Sequence, residues 1–370
     1  MSTTVTFDPP EERHSTLWIS DGNVVLSAES LDKARTILFR IHKSLLSDQS
    51  EVFASMFAMP QGLDNEGKAV EMYEGLPLVK LPDDAESLEV LIQALRDTLY
   101  VLIFSPYFNL GQPTFAHLSD SPFYEHSTKS DTPLRVQPAL LLASKYLMNE
   151  LRAKLIRIVE FQWPLDRNEL ERRDAILDRT KKIELGSECE WSHMYLPEPA
   201  AAISLAEEFN IQSIMPAAYY DLMRCSPSRD WDDALEEMPF IMDPGNYLKP
   251  ARWHLLPPVA LLKLLKLRDL FENREFAWTT LWQVMPKCES RKRCREILTS
   301  IHKSKNEDAF TRICSLRARN PLFVIRGIEE RLLVSDMCLD CNCEVEAYIT
   351  TARNEIWEEL CRISCAPVSP

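Results

Sequence analysis

The stretch FRIHKSLLSDQSEVFASMF, residues Phe39–Phe57, decides how the N-terminal part of the chain folds. It begins in a segment of β-branched and aromatic residues, which favours a strand. From His42 onward the apolar residues recur at steps of three and four, as on one face of a helix. Ser50 interrupts this run and can accept a hydrogen bond from an amide two or three residues later. The stretch therefore predicts a strand followed by two short helices.

Strand signals lie on both sides of this stretch. Val24–Leu26 follows a turn at Asp21–Asn23, and we expect it to form an antiparallel hairpin with Thr36–Ile41. Leu78–Leu81 predicts a third strand, and Ser87–Tyr100 predicts an amphipathic helix. These pieces together predict a small domain of mixed α and β structure.

Changes in composition along the sequence predict three main segments. Residues 1–16 predict a loose N-terminal arm, residues 17–163 a first domain and residues 164–370 a mainly helical domain. A proline-containing segment at 105–133 predicts a surface loop insertion, and the proline-rich segment 226–258 predicts a linker. The predicted C-terminal helices are Arg167–Ile183, Pro199–Asn210, Ile214–Arg224, Val259–Asn273, Cys294–His302, Ala309–Leu316, Leu322–Glu330 and Cys343–Leu360.

Charge and glycine content argue against nucleotide and nucleic-acid sites. The 370 residues carry a formal net charge of −14, which repels phosphate backbones. Only eight glycines are present, and loops that hold phosphate need glycine where the backbone approaches the ligand. The nearest phosphate-loop pattern, GLDNEGKA at Gly62–Ala69, lacks the hydroxyl residue after its lysine and follows a predicted helix. We therefore interpret it as an acidic surface loop.

The N-terminal residues and the cysteines indicate a cellular compartment. Residues 1–15 are polar and acidic, unlike a secretory signal, and no apolar run is long enough to cross a membrane. Ten cysteines in such a chain are typical of reduced thiols. We expect an intracellular protein, cytoplasmic or nuclear, that is neither secreted nor membrane-spanning.

The residues of the opening stretch and its neighbours form a string that resembles the BTB/POZ domain family: D-x-x-V-x-L, F-x-x-H-K-x-x-L and S-x-x-F-x-x-M-F. The matching positions are Asp21, Val24, Leu26, Phe39, His42, Lys43, Leu46, Ser50, Phe53, Met56 and Phe57. VKLPDDAESLEVLIQAL and ALLLASKYLMNELRAKL are similar to the family's third strand and closing helical hairpin. The resemblance covers Leu17–Phe161 except 105–133. The whole layout is similar to fungal BTB-domain proteins with a helical C-terminal region.

The resemblance implies an α+β fold, in which a three-stranded sheet with clustered short helices precedes the helical C-terminal domain. It also implies a non-enzymatic protein that self-associates as a homodimer or recruits protein partners. The residues expected to bind a partner or to mark the fold are Asp21, His42, Lys43, Ser50, Phe53, Met56 and Phe57. In the family, the positions of Asp21 and Lys43 form a charged pocket near the dimer interface. The alternative is that Asp21 caps a turn and Lys43 is solvated.

Two other functions are alternatives to simple self-association. Family members that act as substrate adaptors for cullin-type ubiquitin ligases carry a hydrophobic-x-acidic motif, and the nearest match, Leu63–Asn65, ends in Asn. A transcription-associated nuclear role would use the basic cluster Lys287, Arg291, Lys292, Arg293 and Arg295. Glutamates interrupt that cluster, which favours a solvated helical face over nucleic-acid binding.

The cysteines provide the sharpest chemical hypothesis. Cys338 and Cys341 form a CxxC motif, and Cys288 and Cys294 lie upstream. A CxxC motif can supply two thiolates to a tetrahedral zinc ion, and a distant pair could complete a four-cysteine site. The upstream spacing is wider than usual, so free reduced thiols remain the default expectation and no cofactor is assigned from the sequence. No catalytic residue is expected.

Overall fold

The computed structural model describes residues 9–59, 71–96, 130–184, 197–232, 249–272, 288, 291–303, 320–333 and 335–367. The chain divides into two compact units, Met1–Gln162 and Trp163–Pro370. The N-terminal unit contains a curled five-stranded sheet with helices, and the C-terminal unit is mostly helical. This mixed architecture confirms the expected fold class at that level. The expected sheet of three strands is corrected to five.

The sheet of the N-terminal unit has the strand order β1-β3-β2-β5-β4. Its strands are β1 (Glu11–Trp18), β2 (Val24–Glu29), β3 (Thr36–Ile41), β4 (Met72–Tyr73) and β5 (Leu76–Asp84). The predicted hairpin is confirmed, since β2 and β3 pair antiparallel with Leu26 opposite Phe39. The predicted third strand lies within β5, which pairs parallel with β2. The two additional strands, β1 and β4, lie at the edges of the sheet.

Strand β1 replaces the predicted loose arm over residues 11–16. It pairs parallel with β3 until the register shifts between Arg13 and Trp18. At this irregularity the ring of His14 stacks on the ring of Phe39, with 5.0 Å between their centroids. The Nδ1 atom of His14 accepts a hydrogen bond from the amide of Leu17 at 3.1 Å. Most of the strand is solvent-exposed and polar, so no alternating apolar pattern marks it.

The two edge strands contact each other through side chains, which makes the sheet curl. The rings of Trp18 on β1 and Tyr73 on β4 pack edge to face with centroids 6.0 Å apart. Arg13 forms an ion pair with Glu74 and its guanidinium lies 4.6 Å from the centre of the Trp18 ring. Glu74 and Gly75 both have positive φ angles and form the two-residue turn between β4 and β5.

The helices of the N-terminal unit are α1 (Lys43–Ser47), α2 (Glu51–Ala58), α3 (Ala85–Arg96), α4 (Thr132–Lys145) and α5 (Asn149–Phe161). The predicted pair of short helices broken before Ser50 is confirmed by α1 and α2. Helices α4 and α5 form a hairpin whose connection includes Leu147 at a positive φ of 55°. The fully buried side chains include Leu26, Phe39, Leu46, Phe53, Leu88, Leu91 and Leu140.

The C-terminal unit is built around one short helix. Its helices are α6 (Arg167–Glu184), α7 (Pro199–Phe209), α8 (Met215–Met223), α9 (Pro258–Glu272), α10 (Arg291–Lys303), α11 (Pro321–Leu333) and α12 (Leu339–Ser364). All nine residues of α8 are buried, and α7, α9 and α12 pack around it. Along α12 the buried residues recur at steps of three and four, as in an amphipathic helix that covers a core.

The described part of the predicted linker at 226–258 packs into the C-terminal unit. Strands β6 (Cys225–Asp230) and β7 (Lys249–Ala251) pair in parallel. The indole of Trp253 donates a hydrogen bond to the carbonyl of Ser226 at 2.9 Å, and Trp231 is buried. These contacts correct the prediction of an extended linker at both ends of the segment. Residues 233–248 lie outside the described residues.

Several other predicted features fall outside the described residues. They include the phosphate-like loop at 62–69, the Leu63–Asn65 motif, Lys287, the predicted helix Ala309–Leu316 and the loop insertion up to residue 129. The last two residues of that insertion, Thr132 and Pro133, begin α4. In the described ranges, every helix is too short or too polar to cross a membrane.

Candidate functional site

The first group of predicted site residues lies where the Asp21 turn meets α1. The carboxylate of Asp21 lies 3.3 Å from the Nε2 atom of His42. The amide of Lys43 donates a hydrogen bond to the side-chain oxygen of Asn23 at 2.7 Å. A Cβ atom at Gly22 would lie 2.9 Å from the Arg40 side chain and 3.0 Å from the Ile41 backbone, so this close approach requires glycine. The turn and the start of the helix are therefore held together.

Asp21 and Lys43, the two residues of the predicted charged pocket, each have another partner. Asp21 is 78% exposed and pairs with His42. The ammonium of Lys43 lies 5.7 Å from the centre of the Phe57 ring, within cation–π range. The arrangement places Asp21 in an exposed turn, where its carboxylate pairs with His42. It places Lys43 on an aromatic ring at the end of α2.

Ser50 and Phe53 anchor α2 inside the N-terminal unit. The Ser50 hydroxyl accepts a hydrogen bond from the Phe53 amide at 3.2 Å, which confirms the predicted N-cap. The same hydroxyl donates to the carbonyl of Tyr146 at 2.6 Å. The buried ring of Phe53 lies 5.9 Å from the Phe57 ring and 4.6 Å from the Tyr146 ring. Met56 and Phe57 are half-buried at the surface.

Tyr146 is a structural residue that the sequence did not single out. Its hydroxyl donates to the carboxylate of Asp83 at the end of β5, which also accepts from Lys145. Burial, followed by the contact with Asp83, raises the pKa of the Tyr146 phenol. This residue thereby connects α2, β5 and the end of α4. The role of Tyr146 could not be predicted from the sequence, because its hydrogen-bond partners are more than sixty residues away.

The second group of predicted site residues forms a compact cluster in the C-terminal unit. The sulfur atoms of Cys288, Cys294, Cys338 and Cys341 all lie within 4.8 Å of one another. The sulfur of Cys338 is 3.5 Å from that of Cys288 and 3.6 Å from that of Cys294. Cys294 and Cys341 are buried, and the other two are half-buried. Folding therefore brings together four cysteines that lie in the sequence as two separate pairs.

Two helices position this four-cysteine cluster. Cys294 lies in the first turn of α10, Cys338 is the N-cap of α12 and Cys341 follows in the first turn of α12. The CxxC spacing thus places two sulfurs at one helix N-terminus, where unpaired amides favour negative charge. The pKa of Cys338 is lowered to about 7, chiefly by the backbone amide of Cys341. Burial raises the pKa of the Cys341 thiol.

The geometry of the cluster fits a tetrahedral metal ion. Zinc–sulfur bonds of about 2.3 Å in a tetrahedron place neighbouring sulfurs about 3.8 Å apart. The observed sulfur separations of 3.5 and 3.6 Å are close to that spacing. A site with four protein thiolates has no open coordination position, so such a centre is structural rather than catalytic.

A second group of metal-binding residue types, Asp230, Asp232 and His254, lies at the surface of the same unit. The carboxylate of Asp232 accepts a hydrogen bond from the Arg252 side chain at 3.0 Å. The Nδ1 atom of His254 lies 3.8 Å from Asp230. These contacts show that the three side chains form surface ion pairs.

The part of the basic cluster that the structure describes lies on α10. Lys292, Arg293 and Arg295 are exposed. Arg293 forms an ion pair with Asp336 at 3.0 Å. This placement agrees with the preferred sequence interpretation of the cluster, a hydrated helical surface.

Comparisons with known proteins provide no relative. No family model, curated protein or solved structure matches this chain. The resemblance to the BTB/POZ family accordingly rests on the residues quoted above.

Proposed function

We propose that this chain is a non-enzymatic protein-interaction protein, acting inside the cell, whose N-terminal unit self-associates or recruits a protein partner. The observation that carries the proposal is the composition of one surface, called here the α2 end: Met56, Phe57 and Met59. Met59 is 57% exposed and the other two are half-buried. Methionine and aromatic residues are enriched at the centres of protein interfaces.

Charged groups border the α2 end. The Lys43 ammonium lies against the Phe57 ring, and the exposed Asp21–His42 pair is adjacent to Lys43 in the chain. An apolar centre with a charged border is the usual anatomy of an interface that forms from folded partners. Ser50 and Phe53 hold the helix that presents this surface, so its shape is set before a partner binds.

The α2 end contains Met56 and Phe57, two of the residues that the family resemblance marks as partner-binding or as markers of the fold. In the same resemblance, the Asp21 and Lys43 positions lie near the dimer interface. A second copy of the chain is therefore the preferred occupant of this surface, and a different protein is the alternative.

Size-exclusion chromatography with light scattering on the full chain tests this proposal. We expect a mass of two chains at micromolar concentration, reduced to one chain in Met59→Asp. Leu141→Asp is the matched control, because Leu141 is 47% exposed in the same unit but lies on α4. A monomeric wild type contradicts self-association. If cross-linking in the native cell also captures the same partners with the wild type and with Met59→Asp, the α2 end is not an interaction surface.

The two alternative functions have no comparable support among the described residues. The motif for a cullin-adaptor role, Leu63–Asn65, lies outside those residues. The basic cluster for a transcription-associated role is a solvated face in which Arg293 is paired with Asp336. Self-association or partner recruitment is therefore the function that we propose.

A further inference from the structure

We propose that Cys288, Cys294, Cys338 and Cys341 bind one zinc ion, which cross-links α10 to the start of α12 as a structural centre. The inference is independent of whether the N-terminal unit self-associates. The four cysteines would then be the complete ligand set of one metal site. Such a site also assigns a role to the C-terminal CxxC motif.

The sulfur separations are too long for a disulfide bond. A disulfide requires about 2.0 Å between sulfurs, and a tetrahedral zinc site requires about 3.8 Å. The separations of 3.5 Å for Cys288–Cys338 and 3.6 Å for Cys294–Cys338 agree with the second value. Since the four sulfurs lie within 4.8 Å of one another, a single ion at their centre would need only small shifts of the side chains.

The chemistry of the ligands favours a thiophilic metal ion, and four-cysteine tetrahedral sites are typical of structural zinc. Four thiolates in a tetrahedron suit zinc or iron, while magnesium and calcium prefer oxygen ligands. Binding replaces four thiol protons by one Zn²⁺ ion, so a centre with a charge of about −2 forms and four protons are released. Lys292, Arg293 and Arg295 flank Cys294 in sequence and lie exposed on α10.

The position of the site shows which elements the ion would hold together. Cys341 is the first buried residue of the stripe along α12 that continues through Val345 and Ile349. Cys294 and Cys338 are 44 residues apart, so an ion between them closes a long segment of chain. The Arg293–Asp336 ion pair also joins the two segments, but both side chains are mostly exposed and such pairs contribute little. Zinc at this position would therefore join α10 to the start of α12.

Metal analysis of the full chain, purified without chelator under reducing conditions, tests the ligand assignment. We expect one zinc ion per chain in the wild type and strongly reduced zinc in Cys294→Ser and Cys338→Ser. Cys343→Ser is the matched control, because Cys343 lies two residues beyond Cys341 on α12 but is exposed and outside the cluster. We expect this variant to retain its zinc.

Cobalt substitution tests the coordination geometry. Cobalt bound by four thiolates in a tetrahedron gives intense visible and near-ultraviolet bands, and zinc should displace it. We expect these bands in the wild type and in Cys343→Ser. In Cys294→Ser we expect the affinity to fall at least about 100-fold, since even outer-shell changes cost 10- to 100-fold.

Hydrogen exchange after chelation tests the same site in the wild type, which is needed if the cysteine variants do not fold. Removing zinc from the wild type should increase exchange at residues 291–303 and in the first turns of α12, while amides of β2 and β3 stay protected. A folded wild type without metal at neutral pH would overturn the proposal. So would iron in place of zinc, or equal zinc content in Cys294→Ser and Cys343→Ser.

Discussion

At the scale of single residues, Ser50 links two parts of the N-terminal unit. Its hydroxyl caps α2 and donates to the Tyr146 carbonyl at the end of α4. We expect Ser50→Ala to destabilise this unit by about 1–3 kcal/mol, because it removes a helix cap and leaves a buried carbonyl unpaired. Hydrogen exchange at α2 amides measures the loss. Ser44→Ala, at an exposed position on α1, is the control and should change little.

Glu198 has the corresponding role in the C-terminal unit. One carboxylate oxygen accepts from the amides of Ala200 and Arg252, and the other accepts from Ala201. Glu198 is buried, so Glu198→Ala leaves three amides without an acceptor and should cost about 2–4 kcal/mol. Glu198→Gln keeps one oxygen acceptor and should cost less.

The same residue gives the stability a pH dependence. Burial raises the pKa of Glu198 above its ordinary value of 4.5, against the opposing effect of the amides that it accepts from. A carboxyl with a higher pKa in the folded state binds more protons when folded. Its contribution to stability is therefore complete below pH 4.5 and is lost as the pH rises through the folded-state pKa. The stability of the wild type relative to Glu198→Gln, measured by exchange at α7, should fall over that range. A constant difference would contradict this sign.

Sequence reasoning identified residues whose partners are close in the chain and missed those whose partners are distant. Ser50 was predicted because its acceptor role involves an amide three residues later. The four cysteines were named, but their spacing could not establish that they meet, since 44 residues separate Cys294 from Cys338. Tyr146 carried no local signal because its partners are more than sixty residues away, and the hydrogen bond from the Arg252 amide to Glu198 spans 54 residues.

At the scale of elements, α12 is stabilised by its buried stripe. Ile356 is fully buried on this 26-residue helix. We expect Ile356→Ala to lower the free energy of unfolding of the C-terminal unit by about 2–5 kcal/mol, because it removes apolar contacts and leaves a cavity. Chemical denaturation followed by far-ultraviolet circular dichroism measures the change. Asn354→Ala, on the exposed face of the same helix, should shift the midpoint little, and equal shifts would show that α12 does not pack as described.

The helices that the sequence predicted well are apolar along most of their length and have a proline in the first turn. The predicted helix Pro199–Asn210 corresponds to Pro199–Phe209, and Ile214–Arg224 corresponds to Met215–Met223. Strand β1 was missed because only Leu17 is buried along it, so it lacks an alternating pattern. Strand β4 has two residues and is defined by its turn and by packing against Trp18, which no local pattern reveals.

At the scale of the whole molecule, charge determines which partners can approach. The formal net charge of −14 opposes association with phosphate backbones. We expect no binding of duplex DNA in a fluorescence titration at physiological salt, even though α10 exposes Lys292 and Arg295. Salt-dependent binding that is lost when these two residues are changed to alanine would contradict this prediction and support a nucleic-acid surface on α10.

For the C-terminal unit as a whole, we propose that one zinc ion bound by the four-cysteine cluster completes the fold. Native mass spectrometry of the full chain under reducing conditions counts the zinc ions on each folded chain directly. We expect one zinc per chain in the wild type and in Cys343→Ser, and none in Cys338→Ser. A folded wild-type chain whose mass includes no zinc, or a Cys338→Ser chain that still carries one, would contradict the four-cysteine centre.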